Sequence, residues 1–588
     1  MKRTKIVATV GPATDEPGLL ARMIEAGLDV VRMNFSHGSH VDWDARIERV
    51  RSEIATSGKH VPLLLDTKGP EIRTGYVEGF DEDQNAKLLL ERDDIVTFIC
   101  RDGSATLNGL RSTKREIYLS YGKLPELVEP EGLILIDDGA ISTRILSIEG
   151  ERIQARVLNT GLVGSRKGVN VPGVVLDFPN LIEKDREDIL YGVGKDIDFV
   201  AVSFVRTAQD VLAVRRLLNK HNGQNVKIIA KIENAQGVEN IDEILTIADG
   251  IMVARGDLGV EIPFDQVPTV QDELIEKTAG QGKIVITATH MLNSMIEHPV
   301  PTRAEVSDVY NAVKSSTTCV MLSGETAFGR YPLEAVETMT KIITSAEANT
   351  SPYIPVPIEG HVSPAVTSTG VALARMTKST AIIVYTESGT TARYTSAFRP
   401  HVPILAITKD ERVARQMNAL WGIIPVLDTK ERDFEMMFTD AVEIAREALG
   451  LEDGDTVVAL AGTDVGVSGS TNAIRILSIG NAIAHGRCMN PGTASGTVRI
   501  CETIEDARET ITDGDIAVVF NLTADYEELC SRMGGLVVAG SNYDHKTIEH
   551  ARTCGIPIIV DVHGIDKKFT HGQRVTLRAE KGAVLLDS

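Results

Sequence analysis

The stretch KIIAKIENAQGVENIDEIL, Lys227 to Leu245, begins as a buried strand and then places Lys231 and Glu233 two residues apart. A strand repeats every two residues, so this cation and anion share one face. Taken alone, they read as an ion pair at a sheet margin. Other apolar runs, however, end in the same way. Arg32, Asn34 and Ser36 close one, Asp66 and Thr67 another, Asp257 a third and Thr289 a fourth. Glu233 and Asp257 offer two hard carboxylates, a set suited to Mg2+, which takes one or two carboxylates and fills its shell with substrate and water. Lys231 and Arg32 carry the charge to stabilise a phosphoryl group in transfer, where positioning and electrostatics supply most of the catalysis. Arg255, Gly256 and Asp257 open the segment RGDLG, whose backbone N–H groups, free of bulky side chains, are apt to grip a carboxylate. Asn34, Ser36, Asp66 and Thr67 form an all-oxygen set with one charge, which suits a weakly held monovalent cation better than a second Mg2+.

Elements that bring such residues together are legible in the first 345 residues. Strand-like runs occur at KIVATVG, LDVVRMNF, VPLLLDTKG, DFVAVSFVR, VKIIAKIEN, GIMVARGD, KIVITATHM and TTCVMLSGE. Most are rich in Val and Ile on both faces, as a covered parallel sheet requires. Amphipathic segments such as PGLLARMIEAG and VDWDARIERVRSEIATSG separate them. Eight strands, each followed by a helix, predict a (β/α)8 barrel over 1–72 and 170–346, with its chemistry at the carboxyl ends of the strands. One interval, 73–169, is far longer than a helix. Its alternating short strands and glycine turns predict an inserted all-β lid domain over the barrel mouth. The Pro-rich run SPYIPVPIEGHVSP marks the end of the barrel. Beyond it, TAIIVYTES, VPILAIT, GIIPVLD and DTVVALAG alternate with helices and predict an open α/β domain over 358–480. The glycine-rich SIGNAIAHGRCMNPGTASG reads as a linker to a last domain over 488–588.

The bulk numbers narrow the class. A chain of 588 residues with 61 Lys+Arg against 82 Asp+Glu has a formal net charge of -21, which argues against nucleic acid or an anionic membrane as partner. No apolar run reaches the length of about 18 residues that a membrane span needs, and the N-terminus lacks a signal-peptide core. The six cysteines, 100, 319, 488, 501, 530 and 554, are scattered without metal-type spacing and read as reduced thiols of a cytoplasmic protein.

The segments RMNFSHG, DTKGPEIRTG, KIENAQG, VARGDLGVEI, TATHMLNSM, TRAEVSDVYNAV and MLSGETAFGRYP resemble the signature blocks of the pyruvate kinase family, in its order and spacing, from residue 1 to about 480. The resemblance implies transfer of the phosphoryl group of phosphoenolpyruvate to ADP, with Mg2+ (or Mn2+) and K+ as cofactors. It implies that Lys231 stabilises the moving phosphoryl group and the enolate, that Glu233 and Asp257 hold the divalent ion, and that Arg32 contacts the phosphoryl group. It further implies that Thr289 meets substrate near the face where the enolate is protonated, and that Asn34, Ser36, Asp66 and Thr67 are potassium ligands. Asn34, His37, Arg73 and Lys167 (in SRKGVNVPG) match nucleotide-contacting positions. Glu71 in GPEIRTG matches members that require potassium. Two blocks depart from the family pattern, at His290 and in NAVKSSTTCVMLS, and neither removes a proposed ligand. A homotetramer is the family expectation.

YTESGTTARYTSAFRPHVPILAIT resembles the effector loop of that family, and Thr386, Ser388, Gly389, Thr390 and Thr391 would form an anion nest for a sugar phosphate or AMP. Ordinary capping of the helix that follows accounts for the same residues. The tail, with NPGTASGTVRI, DGDIAVVFNLTADY, GGLVVAG and CGIPIIVDV, resembles the swivelling phosphohistidine domain of phosphoenolpyruvate-using enzymes, but the nearest histidine, His545, lacks the flanking Gly-Gly and Thr-Ser. A phosphohistidine carrier and a metabolite-sensing scaffold on an inactive barrel are the alternative functions. Both are disfavoured, the first by the degenerate tail motif and the second by the intact Lys231, Glu233 and Asp257.

Overall fold

The computed structural model describes residues 2–81, 83–349, 362–463, 469–541 and 543–587. Most of the Pro-rich run that starts at 351 lies outside the described residues. Two compact units emerge. One comprises Met1–Pro357, Ser396–Arg399 and Asp410–Pro425, the other Ile358–Thr395, Pro400–Lys409 and Val426–Ser588.

In the first unit eight parallel strands close into a barrel: β1 (Lys5–Thr9), β2 (Val30–Asn34), β3 (Leu63–Asp66), β4 (Phe199–Val202), β5 (Lys227–Ile232), β6 (Gly250–Ala254), β7 (Ile284–Ala288) and β8 (Cys319–Leu322). Closure is made by β1, which pairs with β2 on one side and β8 on the other. The strands are buried on both faces because the barrel interior and the helical ring each cover one, which explains why they read as continuous Val/Ile/Leu runs without alternation. Register sets the working rim. Asn34 is opposite Asp66, Lys231 opposite Met252 and Ala254 opposite Ala288, so the polar strand ends come level at one end.

The chain leaves the barrel after β3 and returns at β4. Between them lies a lid built on a mainly antiparallel seven-stranded sheet around Phe98, Ile134, Ile136, Ile141, Ile153 and Val157. Its strand Arg152–Val157 alternates exposed and buried residues, the pattern of a sheet with one solvated face. The insertion is thus the β-rich domain that its turn spacing predicts.

In the second unit the strands Ile404–Thr408, Ala381–Tyr385, Thr456–Gly462 and Thr471–Ser478 are neighbours in that order within one sheet. The last strand is antiparallel and does not figure in the sequence reading, because TNAIRILS mixes Asn and Arg into a short run without clean alternation. The C-terminal sheet has eight strands. The stretch read as a glycine-rich linker corrects to structure: Ala482–His485 pairs with Ala583–Leu586, Arg487–Asn490 with Ile558–Val562, and Thr493–Cys501 with two further strands. Gly486 and Gly492 sit between strands and Gly496 within one, where composition alone suggests flexibility. No helix among the described residues is long and apolar enough to cross a membrane.

Candidate active site

The rim is organised around a buried ammonium group. Lys231 Nζ lies 2.9 Å from Glu233 Oε1, 3.1 Å from Asp66 Oδ1 and 2.6 Å from Ser203 Oγ. Burial disfavours its charge, but Asp66 and Glu233 outweigh that penalty and hold the group above its ordinary value, so it is a cation at any physiological pH. Arg32 joins from β2, donating from Nε to Asp66 Oδ2 at 2.6 Å and from Nη1 to Thr9 Oγ1 at 2.8 Å. Asp66, fully buried, therefore sits between two cations. Burial pushes its carboxyl up, and the neighbouring Arg32 and Lys231 reverse the sign and hold it below the usual carboxylate range. The residue pair that opens the sequence reading thus forms an ion pair and also belongs to a larger charge network.

Glu233 and Asp257, the two carboxylates read as a divalent-metal pair, follow the adjacent strands β5 and β6. Glu233 accepts a hydrogen bond from the Phe204 N–H at 2.6 Å. Burial, then the Glu233 carboxylate, push Asp257 up to about 7. Two carboxylates crowded in a buried site with too little positive charge between them are what a divalent cation would relieve, so the residues fit Mg2+ or Mn2+. Among the described residues no cluster of three or more His, Cys, Asp or Glu could hold a metal alone.

Of the four residues read as a monovalent-cation set, three are neighbours at the ends of β2 and β3. Asn34 faces Asp66 across β2 and β3, and its Oδ1 accepts from the Ser36 N–H at 3.2 Å. Asp66 Oδ1 is within ion-contact distance of Lys231 yet has no hydrogen bond of proper geometry, leaving a buried oxygen with lone-pair capacity. With its single carboxylate already balanced by two cations, the set fits K+ and is poor for a second divalent ion.

Arg255, read as part of the substrate-binding segment, is engaged by protein partners. Its guanidinium donates to Ala288 O (3.1 Å), Thr289 O (2.6 Å), Asp308 Oδ1 (2.6 Å) and, more weakly, Gln271 Oε1 (3.4 Å), and Nη2 also meets Met291 Sδ at 2.8 Å. It pins the end of β7; what the segment offers a ligand is its backbone. The Gly256 N–H already donates to Thr289 Oγ1 at 2.8 Å. Thr289 and His290 both have left-handed φ, 65° and 55°, and Phe204 has φ 55°. A positive φ is an outlier for a β-branched residue such as Thr289 and costly for bulky ones, and such strain concentrates at functional sites.

On the lid side, Arg73 pairs with Glu71 at 2.5 Å and donates to Arg166 O at 2.9 Å, while Lys167 pairs with Asp137 at 3.0 Å. His37 is exposed, its carbonyl accepting from Trp43 Nε1. A cavity of about 250 Å3 between lid and barrel is lined by Arg73, Lys167, Asp137, Asn170, Asp257 and Glu261, among others. Asn170 Nδ2 of the lid donates to Glu261 Oε1 of the barrel at 3.0 Å, closing one side.

Ser203 escapes the sequence reading, although it obeys the rule that finds the others: a polar residue just past the end of an apolar strand, here β4. Asp185 also goes unnoticed, because it sits on a helix, where a carboxylate reads as ordinary surface. It is buried, and accepts from the Lys68 and Gly69 N–H groups at 3.1 Å each, fixing the turn after β3. Gly69 must be glycine: φ is +76°, and a Cβ would come 2.7 Å from both Phe204 Cδ2 and Ser203 Cβ.

Thr386 follows the strand Ala381–Tyr385, Ser388 and Gly389 precede the helix Thr390–Ala397, and Thr390 and Thr391 open it. Ser388 Oγ and Thr390 Oγ1 are 3.0 Å apart, whereas Thr391 is buried and its hydroxyl bonds Thr471 Oγ1 at 2.5 Å. That hydroxyl faces inward, to the strand Thr471–Ser478.

A closed barrel with two acidic strand ends, buried cations beside them, and Arg73 and Lys167 on the lid side fits a phosphotransferase of the (β/α)8 class. Comparison with known proteins makes this specific. The family model for the pyruvate kinase barrel domain matches residues 1–336, that for the pyruvate kinase alpha/beta domain 364–477, and that for the mobile domain of PEP-utilising enzymes 511–582. The chain is 40% identical over 592 residues to a pyruvate kinase of Sporosarcina psychrophila, covering 99% of each chain. It is 39% identical to those of Lactobacillus delbrueckii subsp. bulgaricus and Geobacillus stearothermophilus, over 593 and 596 residues. The chain belongs to the pyruvate kinase family. That family uses phosphoenolpyruvate and ADP and depends in general on a divalent metal and potassium.

Proposed function

We propose that the barrel rim performs the pyruvate kinase reaction with Lys231 as its catalytic cation. The observation that carries this reading is the buried Lys231 ammonium, fixed by Asp66, Glu233 and Ser203 beside the Glu233–Asp257 carboxylate pair. In the transfer, the bond from phosphorus to the enol oxygen of phosphoenolpyruvate breaks and a bond to a β-phosphate oxygen of ADP forms. The enolate carbon then takes a proton. Lys231 and Arg32 offset charge on the phosphoryl group as it moves. The Gly256 and Asp257 backbone meets the substrate carboxylate, and the Thr289 hydroxyl stands at the face where carbon is protonated. Arg73, Lys167, His37 and Asn34 receive the nucleotide, and the lid excludes water. A divalent cation, Mg2+ or Mn2+, held by Glu233 and Asp257 would supply positive charge to the anionic oxygens of the substrates. Asn34, Ser36, Asp66 and Thr67 would hold K+ beside Arg32 and Lys231.

The test is a coupled assay of pyruvate formation. Lys231→Met is expected to abolish measurable turnover while binding of phosphoenolpyruvate with Mg2+, followed by fluorescence, stays within about tenfold of wild type. Undiminished turnover would refute the role. The hydroxyls of Ser388 and Thr390 support a sugar-phosphate or AMP effector at the helix Thr390–Ala397, to be checked by activation with a panel of both. Membership of the pyruvate kinase family supports a cytoplasmic setting and a homotetramer.

A further inference from the structure

We infer that Ser203 is a positioning residue whose hydroxyl couples the potassium loop to Lys231; this rests on the reading that Asn34, Ser36, Asp66 and Thr67 hold K+. Ser203 lies one residue beyond β4 and is buried. Its Oγ donates to Thr67 O at 2.7 Å and accepts from Lys231 Nζ at 2.6 Å, and its N–H donates to Thr67 Oγ1 at 3.1 Å. A hydroxyl has a single proton. With that proton committed to Thr67 O, only lone pairs remain for Lys231, so the direction of the chain is fixed: ammonium to hydroxyl to carbonyl.

Two consequences follow from this connectivity. Ser203 grips Thr67 at both its carbonyl and its side chain, the atoms that the loop can present to a cation. It also supplies one of the three acceptors around the Lys231 ammonium, the other two being the Asp66 and Glu233 carboxylates. Loss of the hydroxyl leaves Lys231 with acceptors on two sides and frees it to swing, while Thr67 O loses its donor. The turn after Thr67 passes so close to Ser203 that a Cβ on Gly69 would lie 2.7 Å from Ser203 Cβ. Occupancy of the loop and the aim of Lys231 are therefore set through one side chain.

The experiment measures pyruvate formation as a function of K+ concentration in wild type, Ser203→Ala and Ser203→Thr. A hydrogen bond to a charged group is worth about a tenfold change or more in an equilibrium. For Ser203→Ala the K+ concentration giving half-activation is expected to rise about tenfold and kcat at saturating K+ to fall about tenfold. The KM for phosphoenolpyruvate should stay within about threefold and Tm within a few degrees. Ser203→Thr, which keeps the hydroxyl, is expected to restore the K+ curve, and Ser203→Cys repeats the Ala result at nearly native volume should Ala fail to fold. A merely structural serine would alter Tm and leave half-activation unmoved. If wild type is activated by K+ and Ser203→Ala shows the same half-activating concentration, this inference is overturned and the cation reading stands. A wild type indifferent to K+ overturns the cation reading itself.

Discussion

Replacing Asp66 by Asn tests the charge network most directly. Asp66 Oδ2 is 2.6 Å from Arg32 Nε and Oδ1 is 3.1 Å from Lys231 Nζ, and the side chain is shut off from solvent. At an effective dielectric constant of about 20 these contacts are worth roughly 6 and 5 kcal/mol gross, most of it offset by the cost of burying three charges. Removing the shared anion leaves two cations facing each other, and breaking a buried pair in this way costs about 3–5 kcal/mol. Asn has the same shape, but it carries an NH2 where the carboxylate has an acceptor, so either orientation points a donor at one cation. For a barrel and lid of this length, with an unfolding entropy of about 2.1 cal/mol/K per residue, 4 kcal/mol corresponds to a Tm lower by about 6 °C. The assay is differential scanning fluorimetry, read together with kcat and its dependence on K+. The variant is expected to lose about 6 °C, most of its turnover and its response to K+. A Tm within about 2 °C of wild type, with kcat kept within threefold, would refute the reasoning that Asp66 holds the two cations in place.

Three further outcomes follow from contacts elsewhere in the same unit. Burial, partly countered by the Gly69 and Lys68 N–H groups, pushes the Asp185 carboxyl up to about 6. The folded state then binds the extra proton between about pH 4 and 6, so stability falls as pH rises through that window, by about 3 kcal/mol, and is level above it. Asp185→Asn lacks this dependence; its Tm relative to wild type should rise by several degrees from pH 4.5 to 7, and a constant difference would contradict the assignment. Arg255→Lys cannot span Ala288 O, Thr289 O and Asp308 together, so kcat/KM is expected to fall about a hundredfold with a stability loss of about 2 kcal/mol, measured by steady-state kinetics and urea unfolding. Asn170→Ala strips Glu261, whose carboxyl burial raises, of its hydrogen-bond donor. It should increase the KM for ADP severalfold and speed proteolysis at the lid junctions, and unchanged cleavage would argue against a latch.

Polar residues that interrupt apolar strands carried most of the site. Lys231, Glu233, Asp66 and Arg32 stand out because nothing in a buried parallel strand explains them, and the barrel register then makes them neighbours. Ser203 follows the same rule more quietly: a serine after Val-Ala-Val raises no alarm, and its importance appears only once its hydroxyl is seen between Thr67 and Lys231. Asp185 and Arg255 were harder still, since which backbone groups they hold depends on how distant segments cross. The barrel and the inserted sheet were readable from period and length. The strand Thr471–Ser478 and those inside the glycine-rich stretch after it were not, because glycine marks a tight turn within a sheet as readily as a loose tether.

The left-handed conformations of Phe204, Thr289 and His290 bear on any attempt to make this enzyme hardier. Each costs on the order of 1–3 kcal/mol, and swapping in glycine or asparagine there is the obvious remedy a designer would choose. It would also be a mistake. The awkward backbone aims the Phe204 N–H at Glu233 and the Thr289 hydroxyl at Gly256, so relaxing it would trade turnover for heat resistance. Thermostabilising substitutions belong at the opposite end of the barrel, away from these polar strand ends.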